Sequence, residues 1–283
     1  MKQRIITTVI LWVTIALALV IFGAHAGVLL IAALAALTQN ELYALFEKMG
    51  LTPRRKIGIA AGLVVIIGTY YLPTKGAGPR ADSGYDLFIL CFIVLTMIII
   101  VLDMRAERLR SFIPTLFGFI YVPFLLHFLV KVVKAAELSG ETTAAGLFLA
   151  VWIVATSKCT DVGALLVGLR YGRTPLSKEI SPNKTIEGAV GGIAVSMLVG
   201  IVMYLFFQNI APDGFRWWMA LIFPIPIAIA TIASDLVESA FNRQAGVKAS
   251  GTSIPGIGGA FDLSDSLLLS APLAFILLSN SVF

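Results

Sequence analysis

The sequence predicts an all-α integral membrane protein, a polytopic helical bundle of about nine transmembrane helices with its N-terminus inside and its C-terminus outside. Three observations predict it. Hydrophobic residues make up 58% of the 283 positions and charged residues only 13%, against about 25% charged in an ordinary soluble domain. Apolar runs long enough to approach the width of a bilayer recur along the whole chain. Between them, Lys and Arg alternate between rich and sparse segments. A mean hydropathy of +0.94 excludes a soluble enzyme, a disordered chain and a secreted disulfide scaffold. The two halves, 1–135 and 136–283, form one membrane-embedded bundle in this reading, with the chemistry-bearing motifs in the second.

The runs fall at 5–22, 24–38, 57–72, 87–102, 112–130, 145–169, 187–208, 216–236 and 265–282. About 20 helical residues cross the hydrocarbon core. The first two runs are close enough for a tight helical hairpin. The short basic start, Met1-Lys2-Gln3-Arg4, and Ala24-His25-Ala26 also resemble a cleaved signal peptide. A second apolar run follows at once, so the first helix is expected to be retained. Pro114, Pro123, Pro224 and Pro226 lie within runs, where neighbouring helices tolerate proline as a kink.

With the N-terminus inside, the inside segments 1–4, 39–56, 103–111, 170–186 and 237–264 are rich in Lys and Arg. The outside segments hold only Lys75, Arg80, Lys131, Lys134 and Arg216. The net charge of +5 therefore reports orientation and contact with anionic lipid, with no nucleic-acid partner expected. Cys91 and Cys159 lack metal-ligand spacing and read as reduced packing residues. His25 and His127 stand apart and read as helix polar groups.

Ionisable residues in or beside a span are costly and mark function. Lys158 and Asp161 are three apart on one helix face. They form either a neutralising pair or the lining of a polar cavity. Ser181-Pro182 fits a helix start, which puts Lys184 and Thr185 in a first turn suited to phosphate. Arg170, Arg173 and Lys178 add positive charge nearby. Glu187 follows, with Gly188, Gly191 and Gly192 offering a face for close helix packing within or between chains. Asp235 and Glu238 are at i and i+3 at the end of one run, and Asp262 and Asp265 at i and i+3 entering the next. Such oxygen donors suit Mg²⁺ and leave Glu238 or Asp265 for a second cation. Between the pairs, residues 254–259 form a loop whose amides, including those of Gly258 and Gly259, suit phosphate, flanked by Arg243 and Lys248.

These residues resemble the phosphatidate cytidylyltransferase (CDP-diacylglycerol synthase) family. Its C-terminal signature aligns without gaps from Ser239 to Asp265, matching Ser239, Arg243, Lys248, Gly251, Ile254, Pro255, Gly258, Gly259, Asp262 and Asp265. An S-P-x-K-T-x-E-G motif is matched by Ser181, Pro182, Lys184, Thr185, Glu187 and Gly188. A D-x-G-A motif is resembled by Asp161, Gly163 and Ala164. The signature's Lys, Asp, His and Arg are replaced by Asn242, Ala249, Ile257 and Leu263. The resemblance covers about 105 residues of the C-terminal half.

The resemblance implies transfer of CMP from CTP to phosphatidate, giving CDP-diacylglycerol and pyrophosphate in phospholipid biosynthesis. It makes Asp235 and Asp262 metal ligands, with Lys184 and Lys248 on phosphates and Asp161 completing the shell. It implies CTP, phosphatidic acid and membrane lipid as partners, with the site facing the cytoplasm. The short basic start, unlike an organelle-type presequence, leads to the expectation of a bacterial inner membrane. A homodimer is also an expectation. The rival readings are an ion or solute transporter with buried carboxylates, and an inactive or substrate-shifted homologue.

Overall fold

The computed structural model describes residues 2–72, 106–177, 179, 181–247, 250, 251, 253 and 258–283, with side chains from Val13 onward and, after the gap, from Arg110. The run at 87–102, Cys91, Lys178, Lys248 and residues 254–257 lie outside this description. The described chain is helical almost throughout. Its elements are α1 (Lys2–Lys48), α2 (Arg55–Tyr71), α3 (Ala106–Phe119), a π-helical turn (Ile120–Phe124), α4 (Leu125–Leu138), α5 (Thr143–Tyr171), β1 (Pro175–Ser177), β2 (Ser181–Thr185), α6 (Ile186–Phe207), α7 (Trp217–Ile222), α8 (Pro224–Gln244), α9 (Ala260–Leu268) and α10 (Ser270–Ser281).

Six helical segments among the described residues are long and apolar enough to cross a membrane: Val13–Lys48, Arg110–Leu138, Thr143–Tyr171, Ile186–Phe207, Trp217–Gln244 and Ala260–Ser281. The last two each join two consecutive helices. Helix α2, with 17 residues, falls just short of that length. Large apolar side chains such as Val20, Leu165, Leu169, Val190 and Phe206 face outward, as a lipid-facing surface requires.

Three expectations change. The first two runs are joined with no loop between them. They meet at one non-helical residue, Gly23, at φ 56° and ψ −137°. The chain bends sharply there, since a Cβ at Gly27 would lie 3.6 Å from Leu19 Cδ2, eight residues back. Helix α1 also continues past the apolar run to Lys48, absorbing Gln39 and Glu41, which the hydropathy pattern assigns to a polar loop. The second change is at Lys131 and Lys134, expected in an outside segment. Both sit on α4, and Lys131 is buried with its ammonium 5.1 Å from the Phe275 ring centre. The third is at Ser181 and Pro182, which begin β2 rather than a helix. This strand pairs antiparallel with β1, so the all-α reading gains a small hairpin. The helix starts at Ile186, and Thr185 is its cap, accepting from Gly188 N at 3.1 Å. The Glu187 carboxylate accepts from Arg173 N and Thr174 N, both at 3.1 Å. It thereby ties the hairpin's entry to the helix start, an arrangement that four-residue spacing alone does not reveal.

Helices α5 and α6 form the most extensive pair. Their seam is Gly188, Gly192, Ser196 and Gly200, four apart and all buried on α6. A Cβ at Gly192 would lie 2.7 Å from Thr160 O, and one at Gly188 2.7 Å from Ala164 O. The expected small-residue face therefore packs within the chain. Ser196 donates to Thr156 O at 3.0 Å, and Trp152 Nε1 to Gly200 O at 3.1 Å. On the other side, α8 and α9 are joined by hydroxyls: Thr231 donates to Ser266 O at 3.3 Å, and Ser234 to Asp265 O. Ser157 on α5 meets Ser270 on α10 at 3.0 Å. These buried hydroxyls satisfy backbone carbonyls or one another where no water is available.

Candidate active site

The site lies where α5, β2, α8 and α9 converge. Asp235 and Glu238 lie one turn apart on α8, facing Asp265 of α9. One carboxyl oxygen from each comes within 4.8 Å of the others. Glu238 is only 6% exposed and Asp265 5%. From β2, Lys184 Nζ reaches Asp235 Oδ1 at 2.5 Å and donates to Ser239 Oγ at 3.2 Å. From α5, Lys158 Nζ lies 3.7 Å from Asp161 and 3.5 Å from Asp265 Oδ1. The pair read along one helix face is thus also a bridge between helices.

Asp262 plays a different part from the other three acids of the two pairs. It stands in the first turn of α9. Its Oδ1 accepts from Ser250 Oγ, and its Oδ2 from Gly259 N at 3.3 Å. It also interacts with the Glu238 carboxyl, so it borders the cluster while holding the preceding loop. Asn242, which stands where the signature has Lys, donates from Nδ2 to Glu238 Oε1 at 2.9 Å. A neutral amide therefore orients this carboxylate where a cation would have neutralised it. Arg243, the next residue, is exposed at the last turn of α8, on a different face from the buried Asn242. Gly258 has φ +134°, a conformation open to glycine.

A cavity of about 230 Å³ opens beside the cluster. Asp161, Lys184 and Asp235 line its polar end, and Leu165, Leu169 and Ile232 its apolar wall. Leu165 and Leu169 are themselves among the outward-facing leucines, so the cavity wall is shared with the lipid-facing surface.

The donor set can be tested against a cation. Asp235, Glu238 and Asp265 lie together, with Glu238 and Asp265 buried, while Lys184 pairs with Asp235 and Lys158 with Asp265. Buried carboxylates this close to one another are strongly unfavourable without added positive charge or protons. Hard oxygen donors at this spacing suit a divalent cation, so the residues present fit one.

The family model described as the cytidylyltransferase family matches residues 2–281. The chain belongs to the cytidylyltransferase family. Among relatives of this cytidylyltransferase, the phosphatidate cytidylyltransferase of Bacillus subtilis is 29% identical over 286 residues, covering 99% of this chain and 98% of the relative. That of Synechocystis sp. is 28% identical over 296 residues, covering 96% and 94%. That of Staphylococcus saprophyticus is 43% identical over 145 residues, 49% of this chain and 52% of the relative. The aligned stretch thus spans about half the length of the staphylococcal relative and nearly all of the other two.

Glu41 escapes the motif reading. It lies on α1, and its carboxylate reaches the loop before α9. The available signal is its charge directly after an apolar run, which a boundary at residue 38 conceals.

Proposed function

We propose that this cytidylyltransferase transfers CMP from CTP to phosphatidate, releasing pyrophosphate and forming CDP-diacylglycerol. The observation that carries the reading is the cluster of Asp235, Glu238 and Asp265, reached by Lys184, beside a cavity whose other wall is lipid-facing. Family membership supports it, as do relatives of nearly equal length named phosphatidate cytidylyltransferase. A phosphate on an apolar tail and a water-soluble triphosphate need such a mixed site.

In this mechanism an oxygen of the phosphatidate phosphate attacks the α-phosphorus of CTP, and the bond to the pyrophosphate oxygen breaks. The nucleophile is already anionic, so a strong protein base is unnecessary. Positioning and charge neutralisation carry the catalysis. Asp235, Glu238 and Asp265 would hold Mg²⁺, with Asp262 at its edge. When bound, that ion neutralises triphosphate charge and polarises phosphorus. Lys184 exchanges Asp235 for a substrate phosphate. Thr185 fixes the start of α6 behind it, and Ser181 starts the strand that carries it. Lys158 holds Asp265 and Asp161 in place. Arg243, Lys248, Gly258 and Gly259 are proposed on the phosphates of CTP or pyrophosphate.

The halves 1–135 and 136–283 are proposed to act as one bundle crossing an inner membrane about nine times, N-terminus inside. The basic segments support a cytoplasmic site. Homodimerisation stays part of the proposal. The test uses the purified chain in detergent with phosphatidate, labelled CTP and Mg²⁺. Mg²⁺-dependent CDP-diacylglycerol is the expected product. Its absence from folded protein that binds CTP would point to another lipid acceptor, and absence of CTP binding to a transporter or an inactive homologue.

A further inference from the structure

Helix α9 begins with Gly259 as its N-cap, and glycine has no side chain with which to cap. The first N–H groups of a helix need partners from elsewhere. One comes from the far end of the sequence. Glu41 Oε2 of α1 accepts from Phe261 N at 2.9 Å, and Glu41 Oε1 from Ser253 N at 3.3 Å. Thr38, one turn earlier on the same face of α1, donates to Ala260 O at 3.1 Å and meets Ser264 Oγ at 2.8 Å. The carboxylate is only 5% exposed, so these amide hydrogens stand in for water. Its charge also complements the positive end of the helix. Two glycines make room for it. A Cβ at Gly259 would lie 2.7 Å from Glu41 Oε2, and one at Gly251 would overlap Glu41 Oε1.

We infer that Glu41 is a positioning residue of the active site: a cap supplied from a distant helix of the same chain that fixes Gly251, Ser253, Gly259 and the first turn of α9. Asp262 follows Phe261 directly, and Asp265 lies one turn further. The carboxyls facing α8 are therefore set by a residue some 220 positions away in sequence. Gly251 and Gly259 then owe their identity to this carboxylate, in addition to any contact with phosphate. The inference rests on the proposed function for its catalytic consequence and not for its structural part.

The experiment compares wild type with Glu41→Gln, in which an amide NH₂ must face one of the two N–H donors. Hydrogen–deuterium exchange of the full chain in detergent reads the structural part. Peptides spanning 250–263 should exchange faster, while those from α5 and α6 stay as protected as in wild type. Steady-state turnover reads the rest. The value of kcat should fall roughly tenfold to a hundredfold, as sub-ångström to ångström misplacement does, while KM for phosphatidate stays within about twofold. Glu41→Asp, which keeps both acceptors on a shorter stem, should recover part of kcat. Wild-type exchange in 250–263, or unchanged kcat, would overturn the inference, and so would loss of protection in every peptide. If Glu41→Gln does not fold, Gly251→Ala displaces the carboxylate without removing it and should produce the same local exchange; wild-type exchange there overturns the inference equally. Wild-type protein lacking turnover would count against the proposed function alone, since the exchange arm needs no substrate.

Discussion

Lys184 and Asp235 share a direct ion pair, Nζ to Oδ1 at 2.5 Å, between a two-stranded hairpin and the middle of α8. The hairpin exists to make this reach. Strand β2 carries Lys184 ahead of the α6 cap, so its ammonium extends across to the carboxylates instead of lying along a helix.

Lys184→Ala removes this ammonium. The expected outcome is a KM for CTP raised at least about tenfold, consistent with loss of one charge-assisted contact. Steady-state assays across CTP concentration check it. Unchanged CTP dependence would remove Lys184 from the phosphate site. In a double-mutant cycle with Asp235→Asn, the two effects should be non-additive because the groups touch.

Glu238→Gln keeps the shape of the side chain and deletes one charge from the carboxylate cluster. Turnover should drop by roughly two orders of magnitude, with the Mg²⁺ concentration for half-maximal rate rising. Direct Mn²⁺ binding, measured by electron paramagnetic resonance without substrate, should weaken in parallel. Mn²⁺ binding equal to wild type's would remove Glu238 from the metal site.

Thr185→Ala deletes the cap of α6. It should cost about 1 kcal/mol of stability, the usual worth of such a cap, read as a lower midpoint of thermal unfolding in detergent. Thr185→Ser retains the oxygen and should restore most of it.

Gly192→Val places a branched side chain against Thr160 O, where even a single Cβ would sit at 2.7 Å. Overpacking of this kind costs about 1–3 kcal/mol. Loss should appear as faster proteolysis or a lower unfolding midpoint. Leu165→Val, on the exposed side of α5, should change neither.

Much of this architecture was legible in the residues. Each apolar run that falls within the described chain became helix, because hydropathy and helical hydrogen bonding leave little alternative in lipid. Asp235, Glu238 and Asp265 lie together because i,i+3 spacing keeps the first two on one face of α8 and the turn into α9 brings Asp265 opposite them. What periodicity could not reveal depended on tertiary partners. Asp262 reads like a fourth cluster ligand, yet Ser250 and Gly259 engage it. Lys158 pairs with Asp161 by spacing, but its second partner, Asp265, comes from another helix. The start of α6 lies four residues later than expected because Ser181 and Thr185 are equally good caps locally, and pairing with β1 selects the second. Glu41 was hidden by a helix that outlasts its own hydrophobicity.

The seam between α5 and α6 also constrains how this chain can vary. At positions 188 and 192 the partner helix leaves no room for a Cβ, and at 200 Ala220 O and Pro224 leave none either. Outward positions such as Val190 and Phe206 face lipid and accept most apolar replacements. Neutral drift is thus channelled to one side of a helix pair and nearly forbidden on the other. A saturation-mutagenesis map of the region should show tolerance alternating with helical phase rather than declining with distance from the catalytic carboxylates.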